Sequence, residues 1–187
     1  MIFAETKLKG AFILDLERRE DDRGFFARAF CRREFAEHGL EPQMAQVNVA
    51  YTKKKGTVRG LHFQYPPHTE AKLVRATRGA ILDVIVDLRP ESPTFLETVA
   101  VELSADDHRA LYVPGRFAHG YQTLEDGTET SYQASEFYTP GSEAGLSPFD
   151  PRLALKWPLP VSLISAKDSA WKHLEEIAPD LKRRMRA

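Results

Sequence analysis

Only one cysteine, Cys31, occurs among the 187 residues. An internal disulfide is therefore excluded, which agrees with a reducing compartment, and Cys31 reads as a small packing residue. Nor is there an apolar run approaching the roughly 20 residues of a membrane-spanning helix. The stretch from Met1 to Gly10 carries Glu5, Lys7 and Lys9 where a signal peptide would be apolar. We therefore expect a cytoplasmic protein with no membrane partner. An excess of charge of one sign is lacking too: 26 Lys and Arg stand against 27 Asp and Glu, a formal charge of -1. No global field draws the chain toward nucleic acid or anionic lipid, so any anion it binds must be held locally. A glycine-rich phosphate loop and a Gly-x-Ser-x-Gly elbow are both missing. Phosphate binding is left to side chains, with Arg23 and Arg59 foremost through bidentate contacts.

What is present is an ordinary globular composition, 42% hydrophobic and 28% charged, in a chain long enough for one core and short for two. We expect a single domain over residues 1–187. Between Met44 and Tyr138, short runs of Val, Ile, Leu, Thr and Tyr alternate with Gly, Pro, Asp and Ser clusters, which is all-β rhythm. Strands are expected at Ala45–Tyr51, Thr57–Gln64, Ala71–Thr77, Ala80–Leu88, Glu97–Leu103, Ala110–Val113, Gly120–Leu124 and Glu129–Tyr138. Turns fall at Lys55-Gly56, Arg78-Gly79, Arg89-Pro90 and Asp126-Gly127. Eight such strands suggest a jelly roll. Short helices are expected over Arg33–His38, ending at Gly39, and over Ala170–Arg186, where Pro179 should interrupt.

The densest cluster able to do chemistry is Arg59-Gly60-Leu61-His62-Phe63-Gln64. Residues three apart on an ideal strand point to opposite faces, so Arg59 and His62 can share a site only if Gly60 permits a bulge. Lys72 alternates with apolar Val74 and Ala76, which places it on an inward face, and an inward ammonium needs an anion nearby unless it snorkels from the strand end. Thr130, Tyr132, Ala134, Glu136 and Tyr138 share a face by the period of two, so both tyrosines could line one cavity, although packing is the commoner duty of a strand tyrosine. His62 is followed by Phe63-Gln64 and not by a second histidine. With His119 it lacks the remaining ligands of a metal set, so no metal is expected.

Many short motifs then fall in one order: Asp22-Arg23-Gly24-Phe25-Phe26, Gln46-Val47-Asn48, Arg59 to Gln64, Lys72-Leu73-Val74-Arg75, Asp83 to Leu88 and Ser92-Pro93-Thr94-Phe95. Phe117-Ala118-His119-Gly120, Tyr132 to Tyr138, Asp150-Pro151, Trp157-Pro158 and Ser165-Ala166-Lys167-Asp168 follow. Together they resemble the dTDP-4-dehydrorhamnose 3,5-epimerase family over nearly the whole chain. The resemblance implies an RmlC-like cupin jelly roll with short peripheral helices, usually a homodimer, that acts on a nucleotide-sugar substrate without cofactor or metal. It implies His62 as base, Tyr132 as acid, Asp168 as the group orienting His62, and Lys72 facing the sugar ketone. Arg23, Gln46, Asn48, Arg59, His119, Glu143 and Lys167 would contact substrate, and Tyr138 would stack on the nucleotide base. One position departs: Arg28 stands where the family usually has a glutamate. Single-centre epimerisation at C3 or C5, and sugar-nucleotide binding without catalysis, are the alternatives.

Overall fold

The computed structural model describes residues 1–186. Strands β1 (Ile2–Glu5) and β2 (Phe12–Asp15) lead into a small hairpin, β3 (Arg19–Asp21) and β4 (Gly24–Phe26), then helix α1 (Arg32–Glu37). Eight strands follow: β5 (Gln46–Thr52), β6 (Thr57–Gln64), β7 (Lys72–Arg78), β8 (Ala80–Asp87), β9 (Thr98–Ser104), β10 (Ala110–Val113), β11 (Phe117–Thr123) and β12 (Thr128–Ala134). The chain closes with β13 (Glu143–Gly145), β14 (Leu163–Ile164), α2 (Ala166–Ser169) and α3 (Leu174–Arg184).

The strands form two facing antiparallel sheets, ordered β1-β2-β10-β7-β12-β5 and β13-β6-β11-β8-β9, with β14 added in parallel beside β6. All eight strands expected from the sequence are present. At the β7–β8 turn Gly79 takes φ +68, a backbone conformation only glycine adopts freely, which is why Arg78-Gly79 closes that hairpin.

Apolar side chains pack on three levels. Val74, Ile81, Ile85, Leu103, Leu111 and Phe117 fill the space between the sheets. On the outer side of the first sheet, Leu14, Leu73, Ala110 and Tyr112 are covered by Phe35 of α1. On the outer side of the second, Leu61, Phe63, Val84 and Val86 are covered by Leu174 and Leu181 of α3. Strands covered on both faces read as continuous apolar runs, which explains Ala-Ile-Leu-Asp-Val-Ile-Val-Asp in β8.

Three expectations are corrected. Pro179 lies inside α3 and does not end it. The proline removes one backbone donor, and the burial of Leu174, Leu181 and Met185 against the sheet outweighs that loss. The helix begins at Leu174 and not near Ala170, with a reciprocal cap between His173 and Glu176. The last long strand stops at Ala134, so Tyr138 stands on a loop.

Candidate active site

At one end the space between the sheets is lined by polar groups. On the first sheet Gln46, Ala134 and Lys72 lie opposite one another across β5, β12 and β7, and Asn48, Tyr132 and Val74 form the next row but one. Residues paired this way share a face, so Gln46, Lys72, Asn48 and Tyr132 all point inward. On the second sheet His62 lies opposite His119, and Arg59 lies opposite Tyr121. Three steps along β6 thus match two along β11, which is a bulge. It is sited at Gly60, with φ +104, and it turns Arg59 and His62 into the same cavity. A Cβ on Gly60 would stand 2.7 Å from Gly120 Cα and from the His119 carbonyl oxygen.

The result is a cleft of about 350 Å³ walled by Gln46, Asn48, His62, Glu70, Lys72 and Tyr132, with Tyr138 and Glu143 also along it. Behind His62, Lys72 and Tyr132 lies a chamber of about 160 Å³ reached also by Arg59, His119, Tyr121 and Asp168. The combined size suits a small-molecule ligand.

His62 Nε2 lies 2.6 Å from Asp168 Oδ1. A carboxylate only accepts, so Nε2 carries the proton and Nδ1 is left free for the cavity. Asp168 is buried on α2, whose first turn is capped by Ser165. The Gly60 N–H donates to its other oxygen at 3.2 Å. Burial alone would raise the Asp168 carboxyl, but the His62 contact and the Gly60 and Ser165 hydrogen bonds hold it below the ordinary carboxylate value. The Tyr132 phenol is pushed above its ordinary value, first by burial and then by the negative charge of Glu70. Lys72 Nζ meets Glu70 Oε1 at 2.9 Å.

At the mouth, the Tyr138 hydroxyl donates to Glu143 Oε2 at 2.7 Å and Lys167 donates to Glu143 Oε1 at 2.5 Å. Burial would raise Glu143, yet these two partners bring it below its usual value. Gln46 accepts from the Tyr138 backbone N–H at 2.9 Å, which ties the loop to β5. Arg59 donates to Thr52 Oγ1 and the Tyr51 carbonyl.

The chain belongs to the dTDP-4-dehydrorhamnose 3,5-epimerase family. That family's model matches residues 5–176. The dTDP-4-dehydrorhamnose 3,5-epimerase of Methanothermobacter thermautotrophicus is 40% identical, over 93% of this chain and 95% of that one. Among solved structures, the Bacillus anthracis dTDP-4-dehydrorhamnose 3,5-epimerase with TDP and pyrophosphate bound superposes with a TM-score of 0.89, at 40% identity over 92% of this chain and 99% of that one. The Legionella pneumophila dTDP-6-deoxy-D-glucose-3,5-epimerase in complex with dTDP-4-keto-L-rhamnose gives 0.89 at 36% identity, covering 96% of each.

Of the site residues expected in this family member, the structure brings together His62, Tyr132, Lys72, Asp168, Gln46, Asn48, Arg59, His119, Tyr138 and Glu143 around one cavity, with Lys167 at its rim. Arg23 is not among them. It lies at the turn of the β3–β4 hairpin, exposed and paired with Asp21. Arg28 pairs with Glu34 at 3.1 Å in a separate hollow near the N-terminus. Two residues escaped the sequence reading. Glu70 pairs with Lys72, and the fully buried Asp83 accepts from His119 Nε2 at 2.6 Å. Their signal was alternation with Lys72 and an acidic residue inside an apolar strand. Among the described residues no three His, Cys, Asp or Glu side chains converge as metal ligands, and no helix is long and apolar enough to cross a membrane.

Proposed function

We propose that this chain inverts C3 and C5 of a dTDP-linked 4-keto-6-deoxyhexose, with His62 as the base and Tyr132 as the acid. The observation that carries the reading is their placement: a histidine whose outer nitrogen is locked by Asp168, and a phenol on the opposing sheet, facing one cavity. Both carbons adjoin the C4 ketone, so loss of either proton gives an enolate whose charge rests on the ketone oxygen. In a glucose-configured chair the two hydrogens are axial on the same face, and one base can take each in turn. His62 Nδ1 accepts the proton, and the Asp168 carboxylate stabilises the imidazolium that forms. Lys72 on β7 stands by the developing oxyanion, where an ammonium in a partly dry cleft acts more strongly than in water. Tyr132 then delivers a proton from the other face; a phenol is already protonated at neutral pH, and burial with the Glu70 charge pushes it further toward the donor form.

The substrate's own ketone is the electron sink, so the reaction needs no cofactor. Arg59, Asn48, Gln46 and His119 would hold the sugar and diphosphate, and Tyr138 with Glu143 and Lys167 would close over the nucleotide. Two copies would form the working unit. Strand β5 is a sheet edge whose outer face exposes Val47, Val49 and Tyr51 at 50–67%, an unusual apolar row for a free surface. A contact of Arg23 with substrate calls for the β3–β4 hairpin of a second copy, together with its exposed Phe25 and Phe26. The reading keeps the cytoplasmic location expected from the sequence.

The test is incubation with dTDP-4-keto-6-deoxyglucose in D₂O, followed by NMR. Deuterium should enter at C3 and C5, and His62→Ala should lower the rate by about 10² to 10⁴. Exchange at one carbon would make the chain a single-centre epimerase, and binding without exchange would make it a sugar-nucleotide-binding protein.

A further inference from the structure

Lys72 is only 9% exposed, and its ammonium meets one carboxylate, Glu70, at 2.9 Å. The two side chains are 11% and 15% exposed, and both line the cleft with Tyr132. Glu70 precedes β7 by two residues, and its carboxylate meets Lys72 within the cleft that both line. A buried ammonium needs a counter-charge, but this one is placed where it also sets the local field. We propose that Glu70 is a positioning residue for epimerisation, pinning the Lys72 ammonium at the sugar end of the cleft and holding a negative charge in the cleft that Tyr132 also lines.

The role rests on the epimerase reading and follows from two constraints. A nucleotide sugar brings a diphosphate, and a lysine on a flexible four-carbon stem would be drawn toward it. Pairing with Glu70 keeps that ammonium where the enolate charge appears. Tyr132, for its part, must enter the reaction protonated. Around it stand Lys72 at the start of β7, Glu70 two residues before it, Arg59 and His62 on β6, Tyr121 and His119 on β11, Tyr138 on the loop after β12, Glu143 on β13 and Asp168 on α2. Arg59 favours the phenolate, while burial and the Glu70 charge oppose it. Removing Glu70 therefore shifts the balance toward early loss of the phenol proton.

The experiment compares wild type, Glu70→Gln and Glu70→Asp in the D₂O exchange assay across pH, with thermal unfolding of each. Glu70→Gln should keep KM within about threefold, lower kcat about tenfold and move the alkaline limb of kcat to lower pH, at a melting temperature close to wild type. Glu70→Asp should restore part of both. An unmoved alkaline limb in Glu70→Gln, whether kcat is unchanged or falls in step with stability, would overturn the role while leaving the epimerase reading intact. Absence of exchange in the wild type would overturn both.

Discussion

At the scale of single residues, two histidines share one cavity and each has its Nε2 locked by an aspartate from a different element. Asp168 comes from α2 and Asp83 from β8, both at 2.6 Å. The fixed tautomer matters more for His62 than the contact's contribution to stability. Asp168→Asn should therefore leave the fold largely intact yet lower kcat by about 10² to 10⁴, as measured by steady-state rates beside a circular-dichroism melt. An equal loss in kcat and in folded fraction would assign Asp168 a structural duty instead. The period of two raised Lys72 and Tyr132 as inward-facing candidates, while the roles expected for His62, Lys72 and Tyr132 came from the family resemblance. Glu70 and Asp83 were not raised, because an acidic residue in a chain with 27 of them looks like surface charge until its partner is known. Arg23 was read from a motif, but a motif does not fix where the hairpin that carries it lies relative to the cleft.

At the scale of elements, the β6–β11 bulge is what makes the site. Without it Arg59 and His62 would face opposite sides of the sheet. Gly60→Ala should destabilise the protein by about 1–3 kcal/mol, since φ +104 disfavours a side chain and the new Cβ would press on Gly120 and His119. Chemical denaturation would measure it, and exchange activity should fall further than the folded fraction, because both site residues move with the bulge. The sequence signalled this glycine through a conflict of periods. It did not signal the end of β12 at Ala134, where the Tyr138 backbone bonds to Gln46 and leaves the ladder, because alternation continues in the letters after pairing has stopped. The short strands β1 to β4, β13 and β14, of two to four residues each, were missed because a run that short has no readable period. Pro179 misled because local propensity yields to the apolar face α3 buries.

At the scale of the whole molecule, two sheets, each partly covered on its outer face, frame a polar end. Buried carboxylates hold part of that frame. Asp87 is fully buried and accepts from Arg89, Ser92 and Thr94 at 2.6–2.8 Å, and though burial opposes it, these bonds keep its carboxyl below the ordinary value. A carboxyl depressed on folding stabilises the protein above its unfolded pKa of about 3.9, and that stability is lost as pH falls through the folded value. Melting temperature should accordingly decline below about pH 4, and Asp87→Asn, which leaves Arg89 without its anion, should cost about 3 kcal/mol at neutral pH and flatten that acid limb. The same frame leaves β5 as an apolar edge. Val47→Asp with Val49→Asp should convert a two-chain particle to one chain in light scattering, and an unchanged mass would place any interface elsewhere.

In the proposed mechanism His62 and Tyr132 work from opposite walls of one cleft. Tyr132→Phe in D₂O, with the product configuration read by NMR, tests it most directly. Loss of the cross-face donor should leave solvent deuterium entering with retained configuration while inversion falls by about 10² or more. Inversion of both carbons at the wild-type rate in Tyr132→Phe would contradict the account.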